Sequence, residues 1–328
     1  ILCAFGASAA SLPYAKDLML YLLPGMLIMN VTFSFNNIMR ASGYPVKAMV
    51  SMFIGAGVNI ILDPIFIFAL DMGIKGAAIS MTVSAIFVLG HFCRSSSTLC
   101  FKKGIYALRK HIIISIIAIG AAPSVVNIAG SAINIIVNRS LIHYGSDNAV
   151  AAAGIFTTYT SLLVMIVIGI CQGLQPIIGY NYGAGRTDRL RHAFWLAVGW
   201  SSAICTAGCA FGLACPQLIA RAFTTDASLI SQTSRAFSFA QLAFWAVGFQ
   251  VVATTFFQSI GNAAKSIFLS LIRQVIFLIP LLLVLPRYFG LDGVWYSFPV
   301  SDLLATIVTL FMIVWQLRKI SRTSPACS

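Results

Sequence analysis

The segment Asn59-Ile60-Ile61-Leu62-Asp63-Pro64 sets a carboxylate inside the apolar run from Met49 to Leu70. Asn59 precedes Asp63 by four residues, so on a helix the two side chains share a face. Pro64 has no backbone N–H, which leaves the carbonyl of Ile60 without its helical partner. A carboxylate, an amide oxygen and a freed carbonyl in one short arc are hard ligands, suited to Na⁺ or to an acid that carries a proton. Burial favours the neutral acid and a bound cation favours the carboxylate, so one group can alternate between two states. The competing role is structural, with Asp63 bridging helices through Asn or Ser partners.

The elements that hold this group are membrane helices. The chain is 59% hydrophobic and only 9% charged, with mean hydropathy +0.93. That leaves too little polar surface for a water-soluble globule. Apolar runs near 18 to 39, 47 to 70, 74 to 93, 112 to 138, 149 to 171, 193 to 215, 236 to 257, 264 to 285 and 293 to 316 are each long enough to cross about 30 Å of hydrocarbon as helix. They are apolar on all sides, which argues against the alternating strands of a barrel. An all-α, polytopic helix bundle in the cell membrane is expected. Lys47 marks the near edge of the second run, and sixteen residues at 1.5 Å put Asp63 about 24 Å in. An ionised acid at such depth costs of order 2.5 to 3.5 kcal/mol.

The net charge of +13 is decided by where the bases fall. Alternate connections hold fourteen of them, from Arg40 and Lys47 through Arg186, Arg189 and Arg191 to Arg318, Lys319 and Arg322, against the single acid Asp188. The intervening connections hold six bases and five acids. This is the positive-inside pattern, and it puts the C-terminus in the cytoplasm. No run is dense enough for a nucleic-acid stripe. The eight cysteines include no CxxC pair and are read as reduced, with Cys205 and Cys209 as packing groups on one helix face. His91, His111, His143 and His192 all fall at membrane edges, and no HExxH, paired acids or Ser/His pair occurs at helical spacing, so an enzyme is not expected. Arg273 and Asp302 are the other charges within spans, placed to meet near mid-depth as a structural ion pair.

Internal duplication organises the rest. Gly43 and Lys47 lie 218 positions before Gly261 and Lys265, and Gly73 and Gly76 lie 217 before Gly290 and Gly293. Both members of the first pair fall in cytoplasmic connections, so the repeats run parallel. The second unit has six spans and the first has three, which leads to the expectation that about three spans precede Ile1. The resulting division is 1–95 for the remainder of an N-terminal lobe, 96–111 for a cytoplasmic linker and 112–328 for a C-terminal lobe.

Three stretches carry a resemblance to a known family: GLQPIIGYNYGA at 173–184 with Arg186 just after, RASGYPVKAMVSMFIGAGVNIILDPIFIF with MGIKGAA behind it, and FGLDGVWYSFPVSDLL. They closely resemble the multidrug and toxic compound extrusion (MATE) family. The resemblance implies a two-lobe architecture of parallel six-helix repeats, with the first lobe short by about three helices. It implies a cation-coupled antiporter that exports organic cations and drugs on a Na⁺ or H⁺ gradient, with no cofactor beyond the coupling ion. A lipid bilayer and small molecules are the expected partners, and the expected state is a monomer. It also implies a first-lobe cation site of Asp63, Asn59 and Asn36, with neighbouring Asn37 the alternative for the last. That family's acid on its first helix falls ahead of Ile1, and Met81, with Thr82 one step round, stands where a threonine ligand is usual.

The substrate cavity is expected to draw on Gln172, Gln175, Tyr159, Phe244 and Phe256. The glutamines either face it or bond across helices, and the aromatics either stack organic cations or pack. A lipid-linked oligosaccharide flippase of the same superfamily would want a more basic cavity. An inactive truncated fragment is the remaining reading.

Overall fold

A computed structural model of the chain describes residues 12–95, 109–145 and 147–323. Most of the expected linker, including Lys102 and Lys103, lies outside the described residues, as do the opening stretch, Cys3, Cys100 and Cys327. Every element among the described residues is helical and none is a strand. In hydrocarbon each backbone donor and acceptor must be satisfied within the segment, and a helix does this. The chain divides into two compact units, before and after the Ala107–Leu108 boundary.

The first unit has three helices. α1 spans Leu12–Ala41, α2 spans Pro45–Pro64 and continues as a π turn over Ile65–Ala69, and α3 spans Gly73–Ser95. Pro64 ends the α register and the wider turn begins directly after it, with Leu70 N donating to Ile65 O at 2.9 Å. Met39, Ala48 and Val88 form a small buried cluster where the three helices meet. Thr32 Oγ1 donates to Ala85 O at 3.3 Å and ties α1 to α3.

The second unit comprises α4 (Lys110–Tyr144), α5 (Asp147–Gly183), α6 (Thr187–Ala214), α7 (Pro216–Arg221), α8 (Ala227–Ala240), α9 (Val247–Ser259), α10 (Ala263–Leu271), α11 (Ile279–Phe289) and α12 (Leu291–Thr323). A π segment, Ile272–Leu278, joins α10 to α11. One buried cluster is built on Ile178, Phe194, Phe256 and Ile313, and a second on Phe156, Phe237, Leu282 and Trp295. Such clusters hold membrane helices together chiefly by close packing, since the lipid is as apolar as they are. Cys171, Cys205, Cys209 and Cys215 are free thiols.

Among the described residues six helices are long and apolar enough to cross a membrane, and a bent pair makes a seventh. α4 occupies the place of the run near 112 to 138, and α3 holds a shorter apolar stretch, Lys75–Gly90. The run near 236 to 257 is not one helix. α8 ends at Ala240, a 3₁₀ turn covers Phe244–Ala246, and α9 leaves at 57°. The cause is contact with α6: Cys209 Sγ donates to Gln241 O at 3.1 Å, and a Cβ on Gly248 would stand 2.6 Å from Ser201 O. The chain turns at that point to pack backbone against backbone.

The duplication is visible in local geometry. Gly43 and Gly261 both close helix-to-helix turns at positive φ, +86° and +77°. A Cβ on Gly76 would meet Phe66 O at 2.6 Å, and one on its counterpart Gly293 would meet Leu285 O at 2.4 Å. In each unit, therefore, the third repeat helix starts pressed against the end of the second.

Candidate functional site

In the first unit that glycine contact positions the chemistry. Gly76 fixes the start of α3 against Phe66, one turn beyond Asp63, and Ser80 follows Gly76 by one helical turn. Ser80 is fully buried and its Oγ hydrogen-bonds to Asp63 Oδ1. Asn59 Nδ2 donates to Asp63 Oδ1 at 3.3 Å and reaches Ser80 Oγ at 3.4 Å. Asn59 and Asp63 are half-buried. The carboxylate lies inside the apolar stretch Pro45–Ala69, six residues or about 9 Å from its end.

This triad has two hydrogen-bond states. Ser80 Oγ is also 3.0 Å from Ala77 O, and a serine carries one proton. With Asp63 ionised, the hydroxyl donates to the carboxylate. With Asp63 protonated, the acid donates to Ser80 Oγ, whose own proton turns to Ala77 O. A small cation ligated by Asp63 Oδ1, Ser80 Oγ and the Asn59 amide oxygen would equally require Ser80 to turn away and the Asn59 amide to flip.

Asn36 does not join them. It is fully buried on α1, and its Nδ2 donates to Ala48 O at 2.8 Å. Ala48 is fifteen residues before Asp63 on α2, about 22 Å away along the axis. The helices α1 and α2 run in opposite directions from the turn at Gly43, so Asn36 sits near the turn and Asp63 near the far end. Thr82 Oγ1 is bonded to its own helix at Ala78 O, 2.9 Å, and Met81 is exposed. The α3 hydroxyl that meets Asp63 is that of Ser80, the residue before Met81. Its signal was in the sequence, one turn after the repeat glycine Gly76, but nothing local marked it as facing Asp63.

In the second unit the place of Asp63 falls to Leu281 or Pro280, and Ser297, 217 positions after Ser80, donates to its own helix at Gly293 O. The acid triad therefore has no counterpart there. Arg273 and Asp302 do meet: Arg273 Nε donates to Asp302 Oδ1 at 2.6 Å, with side chains 32% and 6% exposed. Gln250 Nε2 donates to Asp302 O at 2.7 Å and to Thr306 Oγ1 at 2.6 Å, bracing α9 against α12 behind the pair.

A cavity of about 430 Å³ opens beside them, walled by α4, α5, α12 and the two irregular turns. Of the residues expected to line a substrate cavity, Phe244 does so. Tyr159 instead donates its hydroxyl to Gly208 O at 2.7 Å and packs edge-on against Phe237. Phe256 is fully buried between Phe194 and Phe257. Gln172 is half-buried and Gln175 exposed, and neither borders this cavity. Phe156, Trp295 and Phe298, which spacing alone did not single out, supply most of its aromatic wall. Among the described residues no group of three His, Cys, Asp or Glu side chains could hold a metal ion.

The profile of the MatE family matches residues 1–65 and 123–284. The multidrug export protein MepA of Staphylococcus aureus is 27% identical over 285 residues, 85% of this chain. The chain spans only 62% of the length of that relative. MepA of Staphylococcus haemolyticus is 26% identical over 97% of this chain and 70% of its own. Among solved structures, one of a MATE protein in the bent conformation superposes with TM-score 0.88 at 25% identity, covering 98% of this chain and 72% of the other. An outward-facing multidrug resistance MATE transporter of the MOP superfamily superposes with TM-score 0.91 at 23% identity, covering 98% and 73%.

Proposed function

The chain belongs to the MatE family, and on that footing we propose that it works as a secondary transporter, exporting organic cations and drugs in exchange for Na⁺ or H⁺ with Asp63 as the coupling group. One observation carries the reading: an acid inside an apolar helix is held by Asn59 and Ser80, and the Ser80 hydroxyl also lies within bonding distance of Ala77 O on its own helix. An idle carboxylate there would cost of order 2.5 to 3.5 kcal/mol. Uptake of a proton or cation changes whether Ser80 binds α2 or its own helix α3. That alters the contact between the two helices, and a gradient could drive it. The absence of an acid at the matching place in the second unit supports assigning coupling to the first.

The chain is a multi-pass membrane protein of a family represented among its relatives by multidrug exporters. In this proposal its C-terminus is cytoplasmic, from the distribution of bases, and it works as a monomer. The test is export of a cationic dye from proteoliposomes under an imposed Na⁺ or H⁺ gradient. The wild-type protein should export, and Asp63→Asn, which keeps hydrogen-bonding capacity toward Ser80 and Asn59, should fold and lose gradient-dependent export. Unchanged export by Asp63→Asn would sink the assignment of coupling to that residue.

A further inference from the structure

We propose that the cavity of the second unit is a binding site for aromatic compounds bearing a carboxylate, with Arg273 as the group that recognises the anion. The cavity, about 430 Å³, has the size of a small-molecule site. Phe156, Phe244, Trp295 and Phe298 give it flat apolar walls, and Thr157 and Thr160 add hydroxyls along α5. Among the described residues Arg273 is the one charged side chain that lines it. Asp302, only 6% exposed, sits behind and does not.

The guanidinium is partnered on one side only. Nε is committed to Asp302, while among the described residues no acceptor takes Nη1 or Nη2. Arg273 lines the aromatic chamber with these two donor groups uncommitted in a fixed fork. A planar carboxylate satisfies such a fork bidentately, and removal from bulk water strengthens the bond. Asp302 cancels the charge of Arg273 overall, so an anion is not held by net field but by those unfilled donors. Arg273 also lies in the π segment Ile272–Leu278, an irregularity that re-aims side chains and recurs at functional sites.

This inference is independent of coupling at Asp63 and is tested by binding, without transport. The purified chain in detergent is titrated with 2-naphthoate, its neutral carboxamide and an alkyl phosphate of similar size, reading tryptophan fluorescence. Naphthoate should bind about tenfold or more tightly than the carboxamide, the value of one charge-assisted bidentate contact. The double variant Arg273→Gln/Asp302→Asn should bind both naphthyl compounds equally. Thr160→Phe, which fills the chamber and leaves the ion pair intact, should bind neither. Equal wild-type affinity for acid and amide would overturn the proposal. So would an alkyl phosphate that binds as tightly as naphthoate, or discrimination that survives in the double variant. If the double variant fails to fold, the wild-type comparison and Thr160→Phe decide the matter.

Discussion

Removing the Arg273 charge alone should be among the most damaging polar substitutions in the second unit, and removing both charges together should be mild. In Arg273→Gln the Asp302 carboxylate, 6% exposed, loses the guanidinium bonded at 2.6 Å, while Gln250 and Thr306 continue to hold only its backbone carbonyl. An ionised acid stranded in such a site costs about 3 to 5 kcal/mol. In Asp302→Asn the arginine remains, but it is 32% exposed and borders a cavity, so water can reach it. That loss should be about 1 to 3 kcal/mol. The double variant keeps an amide-to-amide hydrogen bond and buries no charge, so it should fall within about 2 kcal/mol of wild type. Equilibrium unfolding of the four proteins in mixed micelles gives the cycle, whose coupling energy should be at least about 2 kcal/mol. Additive losses, or an Arg273→Gln protein as stable as wild type, would show that the pair is hydrated and that its geometry has been misjudged.

Ser80→Ala should weaken coupling without unfolding the first unit. It removes one donor to a charged acceptor, worth about 1.5 to 3 kcal/mol, so gradient-dependent dye export should need a coupling-ion concentration shifted by roughly ten- to a hundredfold; an unshifted dependence would take Ser80 out of the site. Tyr159→Phe should lose about 0.5 to 1.5 kcal/mol of stability with its bond to Gly208 O and leave export of a cationic dye unchanged, since the ring packs on Phe237. Gly43→Ala should cost about 1 to 2 kcal/mol purely through its φ of +86°, because an added Cβ meets nothing within 4 Å there. Gly57→Ala, equally open but helical, should be neutral or stabilising in the same unfolding assay.

Asp63 and Asn59 were legible because they are helical neighbours four residues apart, and that contact needs no tertiary information. The expectation for Asn36 rested on a resemblance rather than on packing. The turn at Gly43 sets Asn36 opposite Ala48, and the antiparallel run of α1 and α2 then carries Asp63 away from it. Tyr159 and Phe256 show a similar limit. An aromatic residue in a span reads the same whether its ring meets a ligand or a neighbouring helix, and both of these meet helices.

What the sequence determined by itself is everything with a local or periodic cause. Apolar length made the helices, Pro64 ended α2 in a wider turn, and the repeated glycines fixed two turns and two close approaches. The tertiary structure decided which faces meet. It chose Ser80, seventeen residues from Asp63 on another helix, as the partner of the acid. It bent the chain at Gln241 against α6 and set Arg273 rather than Asp302 on the cavity wall. Helical periodicity says which residues share a face, but the rotation of each helix about its axis is fixed only by the contacts it makes with its neighbours.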